Sequence, residues 1–146
     1  MSTAHTTDHD DIRRRIDNLI AAICAMNLEA VMPIYARDIV SFDFEPPLQH
    51  VGAEAKRQNW TRAFTAFEPP LHYEVRDLTI TAGGDVAFVH AFARMNGTLK
   101  NGKKSGVWVR WTPCFRKIDG TWLIVHDQVS VPADIASGKA LLNLEP

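Results

Sequence analysis

Apolar residues recur with a helical period in the first half of this chain and with a period of two in the second. Ile12, Ile16, Leu19, Ile20 and Ile23 fall on one helix face, predicting a helix from about His9 to Met26. Asp8, Asp10 and Asp11 put negative charge where a helix N-terminus favours it. Asn27 is predicted to end this helix and cap a short one, Leu28 to Tyr35, in which Pro33 implies a first-turn proline or a break. Val40 to Phe44 alternates like a strand, which Pro46-Pro47 stops. Ala53 to Phe67 reads as a second long helix, with Ala53, Trp60, Ala63, Phe64 and Phe67 on its apolar side and Pro69-Pro70 at its end.

Four alternating runs follow: His72 to Thr81, Val86 to Leu99, Lys104 to Ile118 and Thr121 to Val131. Gly83-Gly84, Asn101-Gly102 and Asp119-Gly120 separate them, residues that favour the positive φ angles of tight turns. Pro113 inside the third run implies an edge strand or a bulge that swaps side-chain faces. Ala133 to Leu142 reads as a short closing helix. Helices first and strands afterwards mean an α+β fold. Long strands twist and curl, so the expected shape is a cone: a curved antiparallel sheet with the N-terminal helices on its concave face. Residues 1–8 read as a loose, disordered polar tail, and 9–146 as a single domain.

Composition narrows the function only by exclusion. The 146 residues are 46% apolar and 23% charged, with a formal net charge of -1. That balance offers no basic surface for nucleic acid and no attraction to an anionic membrane. No apolar run approaches the ~20 residues that span a bilayer. The opening residues carry no secretory pattern, so a cytoplasmic location is expected. Cys24 and Cys114 lack metal-like spacing and read as two reduced, buried thiols.

Three stretches carry a family resemblance. They are Tyr35 to Asp43, the Gly-led segment Gly52 to Trp60, and Gly120 to Pro132, GTWLIVHDQVSVP, of which the last is the most specific. Together they resemble the SnoaL-like group of the nuclear transport factor 2-like superfamily, which includes ketosteroid isomerases. The resemblance spans about residues 10 to 132. It implies the α+β cone, a pocket between sheet and helices, and a homodimer formed through the outer face of the sheet.

Asp43 is the first candidate for chemistry. Alternation sets Ser41, Asp43 and Glu45 on one face, which is either solvent or pocket. By resemblance Asp43 stands where ketosteroid isomerases carry their general base, a role that a desolvated carboxylate suits. The positions of that group's oxyanion donors fall near Leu19 and at Pro113, neither of which donates a side-chain hydrogen bond. His126 and His90 are the donors left to replace them. His126 and Gln128 share strand parity with Trp122, Ile124 and Ser130, a face that looks inward by resemblance. His90 lies between Phe88 and Phe92. A metal held by His90 and His126 is a weaker alternative, since a His beside a Gln is a poor ligand set, and no cofactor is expected. Trp111 shares an inward parity with Val109, Pro113 and Phe115, and Trp60 joins it as a pocket aromatic. Arg110, on the other parity, is either an interface cation stacked among tryptophans or an anion clamp in the pocket.

Two functions fit these residues. The first is an enzyme that moves a proton on an apolar or aromatic small molecule by isomerisation, dehydration or cyclisation, with Asp43 and His126 as catalytic groups and Trp60, His90, Trp111, Gln128 and Arg110 around the substrate. The second is a non-catalytic ligand-binding or dimeric assembly module.

Overall fold

A computed structural model describes residues 3–146, with side chains from Thr7 onward. Helix α1 (Thr3–Cys24) begins inside the stretch expected to be a tail. Its buried face is Ile12, Ile16, Leu19 and Ile23, the predicted stripe, while Cys24 lies exposed beside it. The Asn27 side chain caps α2 (Leu28–Val31) by accepting from the Ala30 N–H at 3.2 Å. Pro33 sits in the first turn of a 3-10 segment (Met32–Ile34), where its missing N–H costs nothing.

Strand β1 (Tyr35–Phe42) then leads through the two-residue β2 (His50–Val51) into α3 (Ala53–Ala66). The long strands β3 (Phe67–Gly83), β4 (Val86–Leu99), β5 (Lys104–Ile118) and β6 (Thr121–Ser130) follow as a meander. Strand β3 starts earlier than predicted and carries Pro69-Pro70 within it. The ladder to β4 jumps there, between Glu68 and His72, because prolines donate no ladder hydrogen bond. Asp119 and Gly120 both have positive φ, 49° and 81°, as a tight β5–β6 hairpin requires. The predicted closing helix is a small hairpin instead, β7 (Ala133–Asp134) with β8 (Lys139–Ala140).

The sheet order is β2-β1-β6-β5-β4-β3. It is mixed rather than wholly antiparallel, because β1 runs parallel to β6. The chain leaves the β1 edge through α3, re-enters at the far edge as β3, and returns by hairpins until β6 reaches β1. A connection that crosses the sheet in this way permits the parallel pairing. It also carries α3 across one face.

Two irregularities bend the sheet where the site lies. Between its pairings with Ile124 and His126 of β6, β1 advances from Tyr35 to Val40, far more chain than its partner spends. On the other side of β6, Cys114 pairs with His126 and Phe115 with Ile124, so Val125 is an extra residue. This bulge faces the Pro113–Phe115 stretch of β5. Strand β5 is central, so Pro113 is not on an edge, and the swap of faces falls on the neighbouring strand rather than on Pro113's own.

One core fills the space between α1 and the concave face. Ile12, Ile16 and Ile23 pack with Val89, Phe115, Trp122 and Ile124, all 2% exposed or less. Trp122 also pins the start of α1. Its Nε1–H donates to Asp8 Oδ1 at 3.3 Å, and its carbonyl accepts from Arg15 Nε at 3.0 Å.

Candidate functional site

Beyond this core the concave face leaves a cavity of about 480 Å³. The sheet contributes Ala93, Met95, Val107, Val109, Trp111 and Val129; α1 contributes Leu19; α3 contributes Lys56, Asn59, Trp60 and Ala63. Asp43, Phe44, Glu45 and His50 line it from the β1–β2 region. The volume is in the range, about 300–1,000 Å³, that holds small organic ligands.

Of the polar residues in this wall, Lys56 belongs to a buried cluster behind it. Lys56 is 4% exposed and Asp127 1%. Lys56 Nζ lies 3.1 Å from Asp127 Oδ2 and 3.4 Å from Ser41 Oγ, and the Ser41 hydroxyl donates to Asp127 Oδ1. Both carboxylate oxygens therefore have partners, as a buried charge requires. Ser41 and Asp127 are Cα partners across the parallel β1–β6 pairing, so the cluster ties α3 to the one place where the sheet's two halves meet.

Tyr35 closes the cluster on the cavity side. The Trp60 Nε1–H donates to its hydroxyl at 2.8 Å, and Lys56 Nζ stands 5.2 Å from its ring centre. Burial pushes the Tyr35 phenol up from its ordinary pKa, and the Lys56 ammonium only partly counters this. Burial also pushes the Tyr73 phenol up, with Tyr35 and the Asp127 and Asp43 carboxylates adding to it. For Lys56, burial works to lower the pKa, but Tyr35, Asp127 and Asp43 outweigh it and hold the ammonium above its usual range.

A pH dependence follows. All three folded groups hold their protons more tightly than the unfolded chain does. Their contribution is complete below the unfolded values of about 10 to 10.4, and it is lost as pH rises past them. Denaturant midpoints are expected to stay level from neutral pH to about 9.5 and then fall. A midpoint that climbs on the alkaline side would contradict this wiring.

The structure sorts the candidate residues by face. Asp43, Trp60 and Trp111 line the cavity. His126, His90, Gln128 and Arg110 do not. The extra residue Val125 breaks the alternation of β6, so Trp122, Ile124, Asp127 and Val129 point inward, while His126 and Gln128 turn to the outer face. There the His126 Nδ1–H donates to the Val40 carbonyl at 2.6 Å, and the ring meets Phe42 edge-on at 4.7 Å. His90 is exposed, on the parity opposite to buried Val89 and Ala91. The two imidazoles lie on strands separated by β5. Arg110 is exposed and donates to Ser130 Oγ at 3.0 Å. The cations found over tryptophan rings are Arg76 and Arg94, at 4.7 Å and 5.9 Å from the Trp108 ring, and Lys117, at 5.9 Å from the Trp122 ring.

Sequence reasoning passed over Tyr35, Ser41, Lys56, Tyr73 and Asp127. Lys56 did leave a signal, since it sits one turn before Trp60 on the apolar side of α3. Asp127 left a weaker one, a charge inside an apolar run that must find a partner, but unbroken alternation places it outside.

Residues 12–134 match the SnoaL-like domain family. The chain belongs to that family. No protein of curated function matches the sequence significantly. Among solved structures, this SnoaL-like chain is similar to a nuclear transport factor 2-like protein of unknown function from Pseudomonas putida. The two share 30% identity over 100% of this chain and 99% of that one, with a TM-score of 0.85. A ketosteroid isomerase-like protein from Erwinia carotovora atroseptica is 20% identical over 83% of this chain and 93% of that one, with a TM-score of 0.69. A protein from Novosphingobium aromaticivorans provisionally named a scytalone dehydratase has the same fold at 12% identity and a TM-score of 0.79, covering 89% and 87% of the two chains. Among the described residues of the SnoaL-like chain, no helix is long and apolar enough to cross a membrane.

Proposed function

We propose that this protein is an enzyme that moves a proton on a small apolar or aromatic molecule, with Asp43 as the base. One observation carries the reading: of the two carboxylates that border the mostly apolar cavity, Asp43 and Glu45, Asp43 is the one whose charge reaches a buried ammonium and two phenols. Asp43 acts on Lys56, Tyr35 and Tyr73 electrostatically, so all four share one polar end of the chamber. An apolar body fits the Val107, Val109, Trp111 and Val129 wall, and its acidic C–H would meet Asp43. The relatives named as ketosteroid isomerase-like and as a dehydratase agree with proton-transfer chemistry without specifying it. The reading includes a homodimer through the outer sheet face, where Phe42 and Phe88 stand 41% and 48% exposed.

The test is exchange of the acidic α-hydrogens of an apolar ketone with deuterated water, followed by proton NMR. Wild-type protein is expected to accelerate exchange, and Asp43→Asn to lose roughly a hundredfold of that acceleration. Equal exchange in the two would remove the base.

The competing reading, a binding module, draws on one feature. The Asp43 Oδ1 already accepts the Phe44 N–H at 2.8 Å, an ordinary local turn contact. Tight ligand binding with no exchange by wild type would favour it.

A further inference from the structure

The three cations of α3 differ in how the fold uses them. Lys56 is matched by Asp127 and Ser41. Arg57 is matched by Glu29 at 2.6 Å and by Glu54 at 3.8 Å. Arg62 is exposed and, among the described residues, has no carboxylate partner; its guanidinium donates to the amide oxygen of Asn59, one turn back on the helix. Its charge is left for a ligand, and a guanidinium with free N–H groups suits a carboxylate.

Arg62 stands where such a ligand would pass. Glu45, His50, Asn59 and Arg62 line both the chamber and a neighbouring, more open recess of about 400 Å³. These four residues make the lip between the two spaces. Inward of the lip the wall includes Ala63, Val107 and Val109, and outward it includes Pro46 and Gln58. An apolar body can therefore fill the chamber while a charged group at its end stays at the lip, in polar surroundings.

Asn59 holds Arg62 there at a cost to the fold. A guanidinium only donates, so the amide edge that faces it is the oxygen. The other edge, Nδ2, is buried with no hydrogen-bond partner. A buried amide N–H without a partner is rare and opposes folding. Asn59 thus commits its oxygen to aiming Arg62 and leaves its nitrogen unsatisfied, a local loss of the kind found at functional sites. Asp43 and Glu45 line the same chamber from the β1–β2 segment, and neither pairs with Arg62. Both repel an anion, which steers an acidic group to the α3 side of the lip.

We propose that Arg62, aimed by Asn59, binds a carboxylate carried by the substrate, which makes the substrate class apolar or aromatic carboxylic acids. This rests on the proton-transfer reading for the chamber as the substrate site, and it adds the charged end of the molecule. The carboxylate takes the free N–H groups of the guanidinium at the lip. The hydrocarbon body lies along Val107, Val109 and Trp111. Held in this direction, the molecule presents to Asp43 a carbon remote from its own carboxylate.

The probes are β-naphthylacetate and its neutral isostere β-naphthylacetamide, titrated by calorimetry at neutral pH. Wild-type protein is expected to bind the acid roughly tenfold more tightly than the amide, or better. Arg62→Gln should weaken the acid until the two affinities meet, and leave the amide within about twofold of wild type. Arg62→Lys should restore part of the preference, since it returns the charge without the planar fork. Asn59→Asp gives the guanidinium a carboxylate from its own helix, so it should abolish the preference with Arg62 still in place. Arg62→Gln decides alone if Asn59→Asp does not fold. Equal binding of acid and amide by wild type, a preference that survives Arg62→Gln, or failure of wild type to bind the acid overturns the assignment. A preference that survives Asn59→Asp removes Asn59 as the positioning residue. An Arg62-dependent preference without any wild-type exchange on the ketone upholds the carboxylate site and removes the base, and Asp43-dependent exchange without the preference does the reverse.

Discussion

Lys56→Met is expected to lower stability to unfolding by about 3–5 kcal/mol, measured by urea or guanidinium denaturation. Methionine matches the lysine stem, so little packing is lost. The loss comes from Asp127, which is 1% exposed and would keep one partner, the Ser41 hydroxyl, for a whole charge. A buried carboxylate without its counter-ion is among the few features that make a single substitution this costly. The double variant Lys56→Met with Asp127→Asn should recover most of the deficit, because the amide oxygen still accepts from Ser41 and no charge remains. The difference between the single and double variants reports the coupling of the pair. A single-variant loss below about 1 kcal/mol would mean that water reaches Asp127 and that the cluster does not tether α3 to the sheet.

Trp122→Ala is expected to cost a similar amount, about 3–5 kcal/mol. Trp122 is 2% exposed and packs where α1 crosses β6, so its removal opens a void that Ile12, Ile16 and Phe115 surround only in part. Trp122→Phe separates packing from polarity. It retains most of the ring and loses the Nε1 bond to Asp8, a partly exposed contact worth about 1 kcal/mol or less. Thermal melting of the two variants should rank them clearly, with alanine far below phenylalanine. Near-equal losses would show that α1 is held by the Asp8 contact and not by hydrocarbon.

Which residues reach the cavity was partly legible beforehand. Trp111 and Val109 follow from the alternation of β5, and Trp60 and Ala63 from the face of α3, since no irregularity intervenes in either. Asp43 followed from the family resemblance, as alternation alone left it between solvent and pocket. The imidazoles expected beside Asp43, His126 and His90, lie on the outer face of the sheet instead. His126 is excluded from the chamber by one extra residue, Val125, and the same residue turns Asp127 inward to its buried pairing with Lys56.

The amino-acid sequence by itself determined the helical stripe of α1, the cap at Asn27, the tight turn at Asp119-Gly120 and the order of the long strands. These are set by neighbours a few positions apart, through side-chain period and backbone preference. Only the tertiary structure decided the parallel pairing of β1 with β6, the bulge at Val125, and the meeting of Lys56 with Asp127 and Ser41. Each depends on what a distant segment presents across a ladder or over the sheet. A period of two carries no information about where its partner forces it to slip, and the direction in which every later side chain points depends on that slip.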